Sequence, residues 1–336
     1  MKNFLVYTAK ILAIIILVSV ILDGLYTYVF LQSKNRGKIE TVFNSKAKKY
    51  DVVILGSSRA NNHFVTQMFE DKGLKAFNYG MSGGHLFEAS LMLKLMIERK
   101  YVIKNVILEA DLNLSNDEEA EGVATKFLPY IRNSEVIKEH FSSQENFNEL
   151  YYIPFYRYVK YDGKIGFREI FFTTIGAKTN ALDNLGYYPL GKYKNGNMKN
   201  NIVNLNPLPR NKYYEEIKNI CKTNNINFIA VMTPMCENVK GMEYFDKVKK
   251  AYPEIHNYEN VVIEEKRISD TKLDIIVKVT EAATGSLMLG GGYGSYDKMM
   301  VNGSITEVNM FGSGLGLGLS ADLSARTSKF QLTLKN

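Results

Sequence analysis

Apolar and polar residues follow three different patterns along the chain, and each pattern predicts a different kind of structure. After Lys10 the residues stay mostly apolar to Leu31, which gives about 21 residues, enough to cross the ~30 Å core of a bilayer. From residue 51 onward, short apolar runs alternate with segments of helical spacing, as in a parallel sheet covered by helices. Between residues 315 and 324, apolar and small or polar residues alternate with a period of two, which predicts a strand with one apolar face.

These patterns predict four parts. Residues 1–32 form an uncleaved signal-anchor, because the apolar run is long and no small-residue cleavage site follows it. Residues 33–50 are a lysine-rich linker or a short leading helix, residues 51–262 an α/β domain, and residues 263–336 a β segment. Lysines flank the apolar run on both sides, so charge leaves the orientation in the membrane open.

The α/β part contains an aromatic insertion at residues 116–204, where the strand and helix alternation loosens. Core packing is the commoner explanation for such aromatic clusters, and a groove for sugar or lipid is the alternative. The predicted strands are Val52–Leu55, Ala76–Tyr79, Val106–Ala110, Ile226–Met232 and Glu254–Asn260, and the predicted helices lie near Phe64–Asp71, Leu86–Arg99, Asn211–Thr223 and Met242–Ala251.

Composition narrows the choice of partner and compartment. The chain has 42 basic and 35 acidic residues, and the surplus lies before residue 263, because the rest holds eight of each. A diffuse surplus without a compact basic run favours an acidic envelope polymer or a lipid surface and argues against nucleic acid. Cys221 and Cys236 fit no metal spacing, and they either pair in an oxidising compartment or remain two buried thiols.

Candidate chemistry follows the first predicted strand, where Gly56-Ser57-Ser58 begins a turn. A serine on a tight turn at the carboxyl end of a parallel strand has an exposed Oγ and lies beside backbone N–H groups of a helix N-terminus. That arrangement suits a nucleophile. The alternative is a serine that only caps an ordinary strand-to-helix turn.

Two further strand ends carry polar turns: Gly80 to Gly84 after the second strand and Asp111 to Asn113 after the third. This order of serine, glycine and asparagine resembles the SGNH (GDSL-like) hydrolase and acyltransferase superfamily, especially its membrane-anchored branch related to D-alanyl transfer and alginate acetylation. The resemblance implies a flavodoxin-like parallel sheet, Ser58 as nucleophile, and an oxyanion hole completed by Gly80 or Gly83 and by Asn113. Ser57 occupies the place of the usual aspartate before the nucleophile.

The family's catalytic base is missing from this sequence. The loop after the last strand of such a domain carries Asp-x-x-His, and none of the four histidines has an aspartate three residues before it. His85, beside the glycine turn, and His256, within the last predicted strand, are the candidates for a substitute base. His63 lies on the helix after Ser58, where packing or capping explains it better than a role as base. His140 lies in the insertion, and no pattern supports a catalytic role for it.

From about residue 263 the chain resembles a different family. Leu273–Glu281, Thr284–Gly294 and Asn309–Gly314 are similar to the outer-membrane barrel assembly (bacterial surface antigen) family, at the passage from its last periplasmic-domain strand into the first barrel strands. Three strands cannot close a barrel, since single-chain barrels begin at about eight. We therefore expect an antiparallel meander with an exposed edge that is prone to aggregate. The junction near residue 260 is also what a gene-assembly artefact, a recombination product or an artificial chimera produces.

Together these features predict an esterase or acyltransferase that acts on acyl groups of an envelope polysaccharide or lipid and is impaired by the missing base. It needs no cofactor or metal. The expected partners are membrane lipid, an envelope polysaccharide and a membrane-bound acyl donor protein, and the expected place is the bacterial inner (cytoplasmic) membrane with the domain outside the cytoplasm. The alternative is a non-enzymatic outer-membrane or envelope assembly component, or an inert chimeric protein.

Overall fold

The computed structural model describes residues 2–34, 36–190, 202–235, 239–269, 272–281, 285–294, 298–307, 316–324 and 327–335. Within these ranges the chain forms two compact units. The first comprises residues 1–196 and 208–229, and the second comprises residues 197–207 and 230–336.

A parallel sheet begins in the first unit. The strand β1 pairs in parallel with β2 and β3, with Ile54 opposite Asn78 and Leu55 opposite Leu108. The strand order is β2-β1-β3-β4-β5-β6, whose first five strands have the flavodoxin-like order. The strand β5 is parallel to β4 and β6 is antiparallel to β5. The bounds are β1 Lys49–Leu55, β2 Ala76–Asn78, β3 Val102–Glu109, β4 Asn227–Met232, β5 His256–Ser269 and β6 Lys272–Glu281.

Helices cover this part of the sheet because several of them are apolar on more than one face. In Leu86–Glu98 (α5), ten of the thirteen residues are buried, and the helix packs against its neighbours α2, α7 and α12. Each fully buried leucine or methionine of this kind contributes about 1.5–3 kcal/mol. The helices of the first unit are α1 Lys2–Gln32, α2 Lys38–Phe43, α3 Ser58–His63, α4 Gln67–Glu70, α5, α6 Glu121–Ala124, α7 Glu135–Phe141, α8 Phe147–Tyr152, α9 Tyr156–Lys160, α10 Asp162–Ile165, α11 Phe167–Thr174 and α12 Lys212–Thr223.

Three 3-10 helices, Leu112–Ser115, Thr125–Tyr130 and Asn180–Gly186, also lie in the first unit, and α13 (Glu243–Ala251) lies in the second. The aromatic insertion therefore consists largely of short helices. All six residues of α2 are buried, so the lysine-rich segment before β1 contains the short helix that the sequence left as one of two alternatives.

The N-terminal helix α1 has two parts with different surroundings. Its stretch Asn3–Gln32 is long and apolar enough to cross a membrane, and an 18-residue window within it has a mean hydropathy of 2.6. From Asp23 onward one side of the helix docks on the first unit. The Asp23 carboxylate pairs with the guanidinium groups of Arg132 at 2.5 Å and Arg157 at 2.9 Å, and it accepts the N–H of Phe155 at 2.9 Å. The end of α1 is therefore part of the folded unit.

The second unit contains a four-stranded antiparallel meander with the order β10-β9-β8-β7. Its register places the alternating apolar residues on one face: Leu319 lies opposite Ile305 and Leu332, and Ile305 lies opposite Leu287. These four side chains are 50–65% exposed. The bounds are β7 Gly285–Gly294, β8 Lys298–Glu307, β9 Gly316–Ser324 and β10 Ser328–Lys335.

The predicted architecture, an apolar N-terminal helix, a parallel α/β sheet and a C-terminal antiparallel meander, is confirmed. The segment Leu273–Glu281, which resembles a last periplasmic-domain strand, corresponds to β6 and pairs antiparallel with β5. The meander itself begins with β7. Cys221 is a buried free thiol. Cys236 and residues 309–314 lie outside the described residues.

Candidate functional site

The turn after β1 is held tightly against the end of β3. Gly56 has a φ of +139°, and a Cβ at this position would lie 2.8 Å from the Glu109 Cβ and 2.9 Å from the Ala60 Cβ. Only glycine fits so close an approach in this backbone conformation. The turn therefore brings the next two serines to the switch point between β1 and β3, where sheets with this strand order bind their ligands.

Ser57 is the buried anchor of this turn. Its N–H and its Oγ–H both donate to Glu109 Oε2, at 2.8 and 2.6 Å, and its Oγ accepts the N–H of Arg59 at 3.1 Å as the N-cap of α3. Glu109 is completely buried. Burial, and then the nearby Asp111, raise the pKa of Glu109 to about 8. The carboxyl is therefore largely protonated at neutral pH, and it serves as an uncharged acceptor for Ser57.

Ser58 stands in contrast as the first residue of α3. Its side chain is only partly buried. Within the described part of the chain, neither its hydroxyl nor its N–H has a hydrogen-bond partner. Because Ser57 is the N-cap of α3, the Ser58 hydroxyl is not needed for capping. Of the two serines, Ser58 is the one whose Oγ and N–H remain available to a reacting group.

The end of β3 contributes a second link to the same turn. The Arg59 Nε donates to Asp111 Oδ2 at 2.7 Å, and Asp111 itself is fully buried. Together with the Ser57–Glu109 contacts, this pair joins the first turn of α3 to residues 109–111. Asn113 lies two residues farther on, in a 3-10 helix, partly buried, and its backbone oxygen accepts from Asn211 Nδ2 at 3.3 Å. Its role in an oxyanion hole stays a prediction.

The turn after β2 packs directly on α3. A Cβ at Gly80 would lie 2.6 Å from the Asn61 nitrogen and 2.7 Å from the Ala60 Cβ, so a larger residue does not fit there. The Gly80 N–H donates to Asn78 Oδ1 at 2.9 Å. The same Asn78 side chain donates to the Ala60 carbonyl at 2.8 Å. In this arrangement the Gly80 N–H serves the turn itself.

Gly83 differs from Gly80 in the space around its Cα and in the hydrogen bonding of its N–H. It is exposed with a φ of +78°, and the nearest atom to a Cβ at this position is a Val123 methyl carbon at 4.0 Å. Within the described residues its N–H makes no hydrogen bond. Of the two glycines that the sequence offers for an oxyanion hole, Gly83 is the one with a free donor, and the assignment of either residue stays a prediction.

A cavity of about 420 Å³ opens beside these turns, and its wall includes Asn61 and residues 80–82. Its remaining lining mixes cationic, anionic and apolar side chains: Phe30, Arg36, Lys38, Ile39, Glu40, Val123, Lys126, Lys164, Ile165, Glu169, Thr179, Asn180, Ala181 and Tyr188. The volume suits a small polar group or a segment of a larger molecule.

Lys38, from α2, connects the segments around this cavity. Its Nζ donates to Asn61 Oδ1 at 2.7 Å, to the Gly80 carbonyl at 2.7 Å and to the Gly186 carbonyl at 2.8 Å. Burial lowers the pKa of Lys38 to about 7. One side chain from the helix after α1 thus positions α3, the glycine turn and the end of the 3-10 helix at Gly186.

The histidines predicted as substitute bases lie in different places. His85 caps α5, where its N–H donates to Glu88 Oε2 at 2.7 Å and its Nδ1 lies 3.1 Å from the Glu118 carbonyl oxygen. His256 is the first residue of β5, in the second unit. His63 lies at the end of α3, and partial burial and the Arg59 charge lower its pKa. The role of a base stays a prediction for His85 and His256.

His140 belongs to a separate cluster around α5. Its Nε2 lies 3.1 Å from the Phe87 carbonyl oxygen, and burial, with Lys94 nearby, lowers its pKa to about 4. Among the described residues, no group of three histidine, cysteine, aspartate or glutamate side chains is placed to hold a metal ion.

Comparison with known proteins shows similarity to part of the chain only. No protein-family model and no curated protein matches the chain. Among solved structures, the crystal structure of BamA from Haemophilus ducreyi lacking POTRA domains 1–3 is similar to part of it, with 34% sequence identity and a TM-score of 0.17. The similar part covers 23% of this chain and 15% of that one, so the chain spans a small share of BamA.

Two residues of this site were not assigned by sequence reasoning. The sequence does contain a sign of Glu109's role, because a carboxylate that directly follows the apolar run Val106–Leu108 is expected to be buried and to need a hydrogen-bond partner. No sequence feature distinguishes Lys38, since it is one of several lysines in its segment and all three of its acceptors lie far away in sequence.

Proposed function

We propose that the first unit is a membrane-anchored serine esterase or O-acyltransferase that acts on acyl groups of an envelope polysaccharide or lipid, with Ser58 as its nucleophile. The observation that carries the proposal is the division of roles between two adjacent serines. Ser57 is fixed by Glu109 and caps α3, whereas Ser58 keeps a free hydroxyl at the end of a central parallel strand. The resemblance of the three strand ends to SGNH enzymes supports the same role.

The proposed chemistry is acyl transfer through a covalent intermediate. The Ser58 Oγ forms a bond to the acyl carbonyl carbon while its proton passes to a base, and the bond to the leaving alcohol breaks as that alcohol is protonated. The N–H groups of Ser58 and Gly83 and the Asn113 amide are the proposed donors to the oxyanion. Water or a second hydroxyl then takes the acyl group from Ser58. No cofactor takes part in this sequence.

The weak point of this chemistry is the base. Loss of a general base costs about 10²–10⁴ in rate. The oxyanion hole and binding alone still give a residual acceleration of about 10³–10⁴ over water. We therefore propose slow turnover, with His85 or His256 as substitute base, rather than efficient catalysis.

The membrane helix sets the proposed location. A chain anchored by α1 in the inner membrane, with its α/β unit outside the cytoplasm, meets envelope polymers and lipid-linked acyl groups directly. Its proposed partners are membrane lipid, an envelope polysaccharide and a membrane-bound acyl donor protein. The polar and charged lining of the cavity beside Asn61 is compatible with such substrates.

Hydrolysis of p-nitrophenyl acetate by the full chain in detergent tests the proposal. We expect slow turnover above the buffer rate that Ser58→Ala abolishes, while Ser143→Ala, at an exposed serine after α7 and away from the cavity, retains it. His85→Ala and His256→Ala, measured in parallel, identify a recruited base. Turnover that survives Ser58→Ala, or that is lost with Ser143→Ala instead, contradicts the assignment.

The exposed apolar face of the meander favours a second candidate, an outer-membrane or envelope assembly component. Leu287, Ile305, Leu319 and Leu332 need lipid or further strands to cover them. The opposite face carries small and polar residues such as Ser304 and Ser320, the alternation of a strand between lipid and lumen. Fractionation of cells separates the two candidates, since the anchor belongs in the inner membrane and a barrel segment belongs in the outer.

A further inference from the structure

The short helices of the aromatic insertion expose a group of large apolar side chains. On α11, Phe167 and Phe171 are 68% and 51% exposed, and Ile175, directly after the helix, is 59% exposed. Their spacing of four residues places them on one face of the helix. The described residues leave more than half of each of these three side chains exposed.

A second exposed group lies a few residues earlier. Tyr152 and Ile153 at the end of α8 and Val159 on α9 are 68%, 48% and 63% exposed. Single exposed apolar residues are ordinary, but a concentration of six large ones within residues 152–175 marks an interaction surface. We call these six residues the apolar rim.

Contacts with α1 fix the level of the rim along the membrane helix. The Phe155 N–H bonds to Asp23, and the Phe155 ring lies 4.9 Å from the Tyr26 ring. Near the other end, the Arg36 guanidinium pairs with Glu169 at 2.6 Å and donates to the Ala177 carbonyl at 2.7 Å. Both parts of the rim are therefore tied to the stretch of chain between residues 23 and 36.

The outward face of α1 stays apolar and exposed at this level. The helix has 31 residues, so it is about 46 Å long. It exceeds a hydrocarbon core of ~30 Å. Opposite the docked side, Leu25 and Tyr28 remain 57% and 61% exposed, so the apolar surface of α1 continues beyond Asp23. Residues that pack against the docked side of these turns of α1 therefore lie at the same depth along the helix as Leu25 and Tyr28.

We propose that the segment 147–175 is a second membrane contact, in which the apolar rim inserts into the interfacial region of the bilayer that α1 crosses. The lipid surface is the occupant that the contacts favour, because the rim is continuous with the docked end of the membrane helix. Lys160, Arg168 and Lys178 are exposed around it and suit lipid phosphates. The proposal rests on the anchoring role of α1 within the proposed function.

This contact has a consequence for the cavity beside Asn61. Glu169, on α11 between two rim residues, forms part of its wall, together with Ile165 at the end of the preceding helix α10 and Phe30 near the end of α1. A docked rim therefore holds the cavity close to the bilayer surface. Substrates carried by lipid are then within reach without leaving the membrane.

Because the chain contains no tryptophan, a single introduced tryptophan reports its own surroundings. Four full-length variants are reconstituted in phosphatidylcholine vesicles with and without bromine on the acyl chains. Phe171→Trp and Ile153→Trp probe the rim, and Ile14→Trp, in the apolar half of α1, is the positive control. Val102→Trp is the aqueous control, since Val102 is 53% exposed and lies at the opposite end of β3 from Glu109, about 23 Å away.

We expect Ile14→Trp, Phe171→Trp and Ile153→Trp to lose emission in brominated vesicles, while Val102→Trp keeps its emission and is quenched by aqueous iodide. If Ile14→Trp is quenched and both rim variants behave like Val102→Trp, the second contact is wrong and the anchor stands. If Ile14→Trp is not quenched either, α1 does not span the bilayer and the inference fails with it. Neither outcome depends on esterase activity.

Discussion

Glu109→Ala is expected to lower the free energy of unfolding by about 3–5 kcal/mol. The substitution leaves a cavity at a completely buried site, and it leaves the Ser57 N–H and hydroxyl without their acceptor. Glu109→Gln keeps an acceptor oxygen and nearly the same volume, so it is expected to cost much less. Thermal or urea unfolding of the full chain in detergent, followed by circular dichroism, measures the difference.

The pH dependence of stability in the wild type and in Glu109→Gln tests whether Glu109 is protonated in the folded state. Its folded pKa, raised to about 8 by burial and by Asp111, lies above the ordinary value of 4.5. The folded state therefore binds more protons than the unfolded state between these values, and stability is lost as pH rises. Between about pH 5 and pH 8 the wild type is therefore expected to lose on the order of 4 kcal/mol more stability than Glu109→Gln. Parallel stability curves for the two proteins contradict a protonated Glu109.

Arg157→Met is the second substitution with a large expected effect. The Arg157 side chain is completely buried, and its guanidinium pairs with Asp23 at 2.9 Å and donates to Thr27 Oγ1 at 2.9 Å. Removing one partner of a buried ion pair costs about 3–5 kcal/mol. Arg132 still contacts Asp23 in this variant, so the expected loss lies at the lower end of that range. The midpoint of thermal unfolding in detergent is the measurement.

A double variant separates the ion pair from simple loss of packing. If Asp23 and Arg157 are coupled, Asp23→Asn combined with Arg157→Met destabilises less than the sum of the two single changes. Lys160→Met, at an exposed position on α9, is the matched control and is expected to change stability by at most about 0.5 kcal/mol. Additive effects of Asp23→Asn and Arg157→Met contradict a structural role for the pair in docking α1.

The sheet could be predicted from sequence because its signals are local. Val52–Leu55 is an uninterrupted apolar run before a glycine, and the structure places it in β1, between β2 and β3. The alternation at residues 315–324 likewise specified the apolar face of β9, since a period of two assigns every second side chain to one face. Both patterns are complete within ten residues.

The supporting contacts of the site escaped prediction because they join distant parts of the chain. The acceptors of Lys38 lie 23, 42 and 148 residues away. Glu109 bonds to Ser57 across 52 residues. The sequence singled out Ser58 and offered Gly80 and Gly83 as equals, and only the three-dimensional arrangement shows that Asn78 occupies the N–H of Gly80. Residues that position a site carry no spacing rule that a single sequence reveals.

Covalent trapping of the nucleophile tests the central proposal most directly. The full chain in detergent is treated with a fluorophosphonate, which forms a stable bond only with a serine hydroxyl that is activated and accessible. Peptide mass spectrometry then locates the adduct. The proposed function predicts slow labelling at Ser58 that Ser58→Ala removes and that Ser143→Ala, at an exposed serine away from the cavity, leaves unchanged. Labelling at another serine, or none at Ser58 after denatured protein is excluded, contradicts the assignment of Ser58 as nucleophile.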